Sequence, residues 1–533
     1  MILELKDSAI LFIVIPLALI FLLRNRSRLR LPPSPPGLPI IGHLHLIVGT
    51  LPHQTFHNLS SRYGPLIYLR LGSVPAIVAS NPELAKEFLM TNELSFSTRK
   101  RSIAVDQLTY KASYAFAHYG PYSKFIKRLS SSELVGSRMI NRFLPVRTKE
   151  LRYFLQLLLS KSKVGQSVNV SQELLKLTNN TISQMMLSIR CSGADSQADE
   201  AKNLVREVTE LFGEFNSSDF IWFCKNLDLQ RFRKKIDHVH RRYDGLLEKI
   251  ISDRELKRKK RMEEKTNDQG DDEDDMRDFL DIMLDVMEDE NSEIRLTRDN
   301  IKALVLDFLT AATDTTAGGI EWALAELMNH PKVLEKARQE IDKVVGTNRI
   351  VQESDTANLP YIQAIIKETL RLHPPIPVVA RKSVEACKIN GYDIPANAIV
   401  FVNVWSIGRH SGYWKDPLEF RPERFLSSNG TEGASHIDVK GQHFQLLPFG
   451  SGRRGCLGIS LAMQELPTAV AATIQYFDFK VVTPDGVKST AENVVDMTER
   501  NGLTSPRAHD LVCIPVPRLK NLLNVLEPVG EII

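Results

Sequence analysis

Apolar residues recur every three or four positions along most of this chain, the repeat that collects them on one face of a helix. That pattern predicts helices over Lys202–Phe215, Phe232–Glu255, Arg298–Asn329, Val333–Val345, Pro360–His373 and Ile459–Phe477. Shorter runs rich in β-branched residues predict strands at Leu66–Leu71, Ala76–Ala79 and Ile399–Val404. The expected fold is mainly α with a small β component, built as one large domain.

Three stretches break the pattern. Ala9–Leu23 is an uninterrupted apolar run of 15 residues, followed at once by Arg24, Arg26, Arg28 and Arg30. The arginines lie after the run and no small-residue cleavage site follows, which favours a retained membrane anchor over a cleaved signal. Residues 31–39 then hold five prolines in nine positions, which excludes helix and predicts a stiff spacer. Lys257–Asp275 passes from a basic block to an acidic one and reads as an exposed loop between two helices. The expected organisation is an anchor over 1–30, a proline-rich hinge over 31–45, a catalytic domain over 46–520 and a tail over 521–533.

Composition removes some functions. The 68 Lys and Arg against 64 Asp and Glu leave a formal charge of +4 in 533 residues, too even a balance to favour nucleic acid. Five cysteines at wide spacing, with no CxxC, argue against a disulfide framework or a structural zinc site. No GxGxxG element opens a βαβ unit, so the chain is not expected to bind a dinucleotide itself.

The most informative stretch is Phe449-Gly-Ser-Gly-Arg-Arg-Gly-Cys-Leu-Gly458. Its four glycines allow positive φ and close approach to another group. Cys456 stands just before an apolar helix, where free N–H groups favour thiolate over thiol. Phe449, Gly452, Arg454, Cys456 and Gly458 meet the pattern F-x-x-G-x-R-x-C-x-G. This resembles the haem-binding loop of the cytochrome P-450 superfamily. The resemblance implies haem b as cofactor, Cys456 as the axial ligand of its iron and Arg454 as a propionate contact.

Further elements fall in the family's order. Glu368-Thr-Leu-Arg371 and Pro422-Glu-Arg-Phe425 resemble its E-x-x-R and P-E-R-F elements, implying a structural triad of Glu368, Arg371 and Arg424. Ala311-Ala-Thr-Asp-Thr-Thr-Ala-Gly-Gly319 resembles the segment where the family's central helix bulges over haem. It implies that Asp314 and Thr315 organise water and protons for oxygen activation, with Ala312 in place of the usual glycine. Ile376, Val378, Val379, Leu503 and Thr504 become candidate substrate contacts, and Arg381 a propionate contact. The W-x-x-x-R element departs from the family: Ser123 takes the tryptophan position, and Lys127 takes the arginine position as a second cation for haem. Weaker haem retention is expected.

Asn403–Arg409 and Leu211–Gln230 look like the plant flavonoid-modifying group, and the Ala311–Thr316 segment is similar to flavone synthase II and flavanone 2-hydroxylases. The likeness implies oxidation of a flavanone to a flavone, with hydroxylation of another flavonoid or phenylpropanoid, such as flavanone 2-hydroxylation, as the alternative; Ser123 leaves a catalytically impaired haem-binding relative as a further one. It also implies O2 as co-substrate, electrons from an NADPH–cytochrome P-450 reductase, and an endoplasmic-reticulum membrane with the catalytic domain facing the cytosol.

Overall fold

The computed structural model describes residues 29–191, 196–265, 277–426, 436–482, 495–519 and 525–526. The apolar run Ala9–Leu23 lies outside them. Among the described residues no helix is long and apolar enough to cross a membrane.

The chain forms two compact units. The smaller gathers the described part of the first 100 residues with Phe215–Gln230 and Ala380–Asn403. Its sheet contains β1 (Leu66–Leu71), β2 (Val74–Ala79), β3 (Val378–Lys382, whose last three residues belong here) and β4 (Ile399–Asn403) in the order β1-β2-β4-β3. β1 and β2 pair antiparallel, and β2 and β4 pair parallel, Ala76 opposite Ile399 and Ala79 opposite Val402. The strands bury Ile67, Leu69, Ile77, Val78 and Val400 completely, as an alternating or continuous apolar run should. The proline stretch is docked on this unit: Pro33 O accepts from Tyr68 N at 2.9 Å, and Pro35 O lies 2.8 Å from His43 Nε2.

The larger unit is helical. Its longer helices are α1 (Pro121–Glu133), α2 (Leu144–Lys163), α3 (Val170–Leu187), α4 (Ser196–Gly213), α5 (Phe232–Lys265), α6 (Phe279–Glu288), α7 (Arg298–Asn329), α8 (Pro331–Val344), α9 (Pro360–Leu372) and α10 (Ile459–Tyr476). A three-stranded sheet joins Val168–Asn169, Phe477–Val481 and Val512–Pro517. α5 corrects the charged-loop expectation in its described part: Lys257–Lys265 continues the helix, and Arg254 and Arg258 reach Asp281 and Asp285 on α6; residues 266–275 of that expected loop lie outside the described residues.

α7 is the axis of the unit. At 1.5 Å per residue its 32 residues span about 48 Å, and most of its side chains are buried. Thr297 and Asn300 cap it reciprocally: Thr297 N donates to Asn300 Oδ1 at 2.9 Å and Asn300 N to Thr297 Oγ1 at 3.2 Å. The helix is continuous from Arg298 to Asn329. Alanine at 312 favours helix where glycine would weaken it.

Candidate active site

Five cysteines compete for the role of metal ligand, and burial separates them. Cys191, Cys224 and Cys513 are buried, Cys387 is half-buried and Cys456 is exposed. Burial raises the thiols of Cys191 and Cys387 above the ordinary range and pushes Cys513 up to about 12. Those three are held as thiols. Cys456 alone is presented to solvent at the head of a long helix.

The loop around it is rigidly closed. Cys456 N donates to Phe449 O at 2.9 Å, and Gly455 N to Gly452 O at 3.0 Å. Gly450 and Gly452 sit at φ of +68° and +71°, a region costly for other residues. Ser451 Oγ fixes the loop from behind by donating to Gly441 O at 2.6 Å. Gly458 caps α10, and a Cβ placed there would lie 3.9 Å from Cys456 Sγ. The sulfur thus lies beside the residue that opens α10.

Cations gather at the same loop. Lys127 on α1 donates to Arg453 O at 3.0 Å. Arg453 Nη1 donates to Tyr119 Oη at 2.6 Å, and Arg454, buried, reaches the carbonyls of Tyr114 and Ala117. Lys127 and Arg454, drawn from elements more than 300 residues apart, thus flank one loop. Arg381 belongs to the smaller unit, where it is buried on β3 and donates to Ala380 O at 3.0 Å.

Ser123 is buried and spends its hydroxyl locally: Gly120 N donates to Ser123 Oγ at 3.0 Å and Ser123 Oγ to Gly120 O at 3.1 Å. It is a helix cap, a role invisible when the position is seen only as a missing tryptophan. Ser123→Trp is expected to lose about 1 kcal/mol of helix capping while slowing haem loss. Thermal unfolding reads the first effect and haem transfer to apomyoglobin the second; equal transfer rates would end the idea.

α10 leads from the cysteine loop to α7. Gly319 meets Leu466 so closely that a Cβ on Gly319 would lie 2.8 Å from Leu466 Cδ2. One turn earlier on α7 stand Asp314 and Thr315. Thr315 Oγ1 donates to Ala311 O at 2.6 Å, and Ala311 is exposed at the centre of an otherwise buried helix. An exposed alanine there marks open space beside the helix.

Asp314 faces α4. Burial raises its carboxyl to about 6, with the Glu210 charge acting in the same direction, against the pull of Arg206, a hydrogen bond from Thr209 and the charge of Arg500. The single Thr209 proton also reaches Val205 O at 2.9 Å, so it cannot serve the carboxylate fully. Folding penalises the ionised form: the cost to stability grows as pH rises from the ordinary carboxylate range to about 6 and is constant above. Near neutrality the group exchanges a proton readily, as an acid catalyst should.

The candidate substrate contacts form two neighbouring segments. Ile376 and Leu503 are each 38% exposed, and Val378, Val379 and Thr504 are half-buried. Ser505 N donates to Pro375 O at 2.9 Å and joins the segments. The end of α4 packs on the second: a Cβ on Gly213 would lie 2.6 Å from Leu503 N. Glu368, Arg371 and Arg424 also meet. Arg371 donates from Nε and Nη2 to the two Glu368 oxygens at 2.7 and 2.8 Å, and Arg424 Nε donates to Oε1 at 2.9 Å.

Residues 32–504 match the family model for cytochrome P450. The chain belongs to the cytochrome P450 family. It is 58% identical over 503 residues to cytochrome P450 93B2 of Gerbera hybrida, covering 94% of each chain. It is 49% identical to 3,9-dihydroxypterocarpan 6A-monooxygenase of Glycine max, covering 93% of this chain and 95% of that one. It is 47% identical to 2-hydroxyisoflavanone synthase of Glycine max, covering 92% of each. A zebrafish cytochrome P450 solved with abiraterone shares the fold, with a TM-score of 0.70 and 24% identity over 88% of this chain and all of that one. This cytochrome P450 is a monooxygenase and uses haem b. An exposed cysteine on a glycine loop, two flanking cations and open space at Ala311 fit that group.

Proposed function

We propose that this cytochrome P450 oxidises a flavanone to a flavone, drawing electrons from NADPH through a separate reductase. The observation that carries the substrate class is the 47% identity, across 92% of each chain, to a relative named for forming a hydroxylated isoflavanone. Cys456 is the proposed axial ligand, with Arg454, Lys127 and Arg381 as propionate partners and Phe449 packing beside the cofactor. Haem, when bound, supplies oxygen activation and oxidation of a carbon. The residues supply the rest: Asp314 takes up and releases a proton around pH 6, Thr315 orients hydroxyl and water beside Ala311, and the segments at 376–379 and 503–504 position the substrate.

The 49% identity to the pterocarpan monooxygenase supports a second reading, hydroxylation of another flavonoid. The smaller unit supports membrane association of the enzyme, since Trp222 is 76% exposed and Phe223, Leu227 and Leu229 are exposed around it. The deciding experiment uses the full chain in reductase-containing microsomes. A reduced, carbon-monoxide difference spectrum is followed by titration and product analysis with naringenin. A flavone supports the first reading, a hydroxylated flavonoid the second, and no turnover of any flavonoid sinks both.

The Asp314 carboxyl makes a further prediction. Its protonated fraction falls as pH rises through about 6, so the proton-delivery limb of turnover should fall over the same range. Asp314→Asn should lower turnover by about 10²-fold or more and remove that limb. Product formed per NADPH consumed, measured against pH, checks it; an unchanged profile would exclude Asp314 as the proton donor.

A further inference from the structure

The two candidate substrate segments are tied to α7 by a buried polar and aromatic cluster. Trp322 lies two turns beyond Thr315. Its Nε1 donates to Ser505 O at 3.0 Å, while Ser505 N holds Pro375 O at 2.9 Å. The Trp322 indole stacks flat on the His373 ring, with centroids 4.1 Å apart and planes 5° apart. His373 Nε2 lies 2.7 Å from Glu326 Oε1, one turn further along α7. Trp322, Glu326, His373 and Ser505 are all buried.

His373 Nδ1 is buried without a partner, so the polar contact of the ring runs through Nε2 to Glu326. Burial opposes ionisation of Glu326, but hydrogen bonds from His330 and His373 hold its carboxyl down at about 2. An ionised acceptor strengthens the bond to His373. On the other side of the first segment, Trp405 N donates to Pro377 O at 3.1 Å, and Trp405 Nε1 to Glu499 Oε1 at 3.1 Å. Residues 375–377 are therefore gripped from two directions, and 503–504 hang from the Trp322–Ser505 bond.

We propose that Trp322 and Glu326 are positioning residues that set the register of residues 376–379 and 503–504 over Thr315, and thereby select which substrate carbon is oxidised. The inference rests on the reading of those two segments as substrate contacts. Neither Trp322 nor Glu326 needs to touch the substrate. Removing the indole N–H leaves a buried carbonyl unpaired one residue from Thr504, and the turn must move to find a partner. A displacement of that kind alters reactivity far more than it alters folding.

The test uses the full holoenzyme with reductase. Trp322→Phe keeps the stack but removes the donor. Glu326→Ala removes the acceptor, and Glu326→Gln restores it. Trp322→Phe and Glu326→Ala should change the ratio of oxidation products from a flavanone, or KM relative to kcat, by on the order of tenfold, with the carbon-monoxide band retained. Glu326→Gln should return toward wild type. Ile376→Ala and Leu503→Ala serve as contact variants. If they shift products while Trp322→Phe and Glu326→Ala do not, the positioning inference is wrong. If the contact variants shift nothing, the substrate-contact reading fails and the inference falls with it. If Trp322→Phe and Glu326→Ala both lose the carbon-monoxide band, the cluster holds the fold instead of the register, and the proposal is overturned.

Discussion

Cys456→Ser is expected to abolish both the carbon-monoxide Soret band of thiolate haem and all oxidation, while leaving circular dichroism unchanged. The side chain is exposed, so shortening the reach of one atom disturbs no core packing. The backbone bond from Cys456 N to Phe449 O does not depend on the side chain. What changes is chemistry. The start of a helix favours a thiolate over a thiol, and a serine hydroxyl offers no comparable anion. Thiolate donation to iron is what favours O–O cleavage in this class of haem protein. Removing only an outer partner of a metal ligand typically costs about 10–100-fold in affinity or activity; loss of the proposed ligand itself should exceed that. The buried cysteines provide the control. Cys513→Ser should lower stability through its buried site and leave the spectrum as it was. Retention of the thiolate band in Cys456→Ser would remove the basis of the functional assignment.

The helical repeat located α7 to the residue and the start of α10, because both are apolar over most of their surface. α3 was hidden. Its buried face carries Thr178, Asn179, Asn180, Thr181 and Ser183, which break the apolar pattern. They are tolerated because partners arrive from distant sequence: Thr178 Oγ1 donates to Thr313 O at 3.0 Å, and Asn180 Nδ2 to Glu150 Oε2 at 3.0 Å. α2 was hidden likewise by the buried charges Arg147 and Glu150. At the site, the cysteine loop and the E-x-x-R helix were legible because short spacing carries their chemistry. The capping role of Ser123 and the stack of His373 on Trp322 were not. The first depends on where α1 begins, and the second joins residues 51 positions apart that only folding brings together.

Arg371→Ala is expected to destabilise the protein by about 3–5 kcal/mol, the usual cost of breaking a buried ion pair. That is a large part of the about 5–15 kcal/mol available to a typical domain. Glu368, Arg371 and Arg424 are buried, with Glu368 entirely inaccessible. The Arg371 guanidinium does more than neutralise Glu368. It donates to Gly408 O at 2.5 Å, Pro417 O at 2.7 Å and Glu419 O at 3.0 Å, while Arg424 donates to Lys415 O at 2.8 Å. Residues 408–424 contain little regular structure, so these carbonyls have few helical or strand partners. The two arginines supply them, and both lie against the Trp414 ring, 5.3 and 5.9 Å from its centroid. Burial lowers the Arg424 pKa even beside Glu368, which shows how strongly the site resists uncompensated charge. Lysine cannot replace Arg371, because one ammonium cannot span a bidentate carboxylate and three carbonyls. Lys336 and Glu423 give the contrast: their pair at 2.6 Å is solvent-exposed, and Lys336→Ala should cost no more than about 1 kcal/mol. Denaturant unfolding of the two variants compares them directly. Hydrogen exchange should also show residues 408–424 losing protection first in Arg371→Ala. Equal unfolding midpoints for Arg371→Ala and Lys336→Ala would mean that the loop is held by its packing and not by the triad.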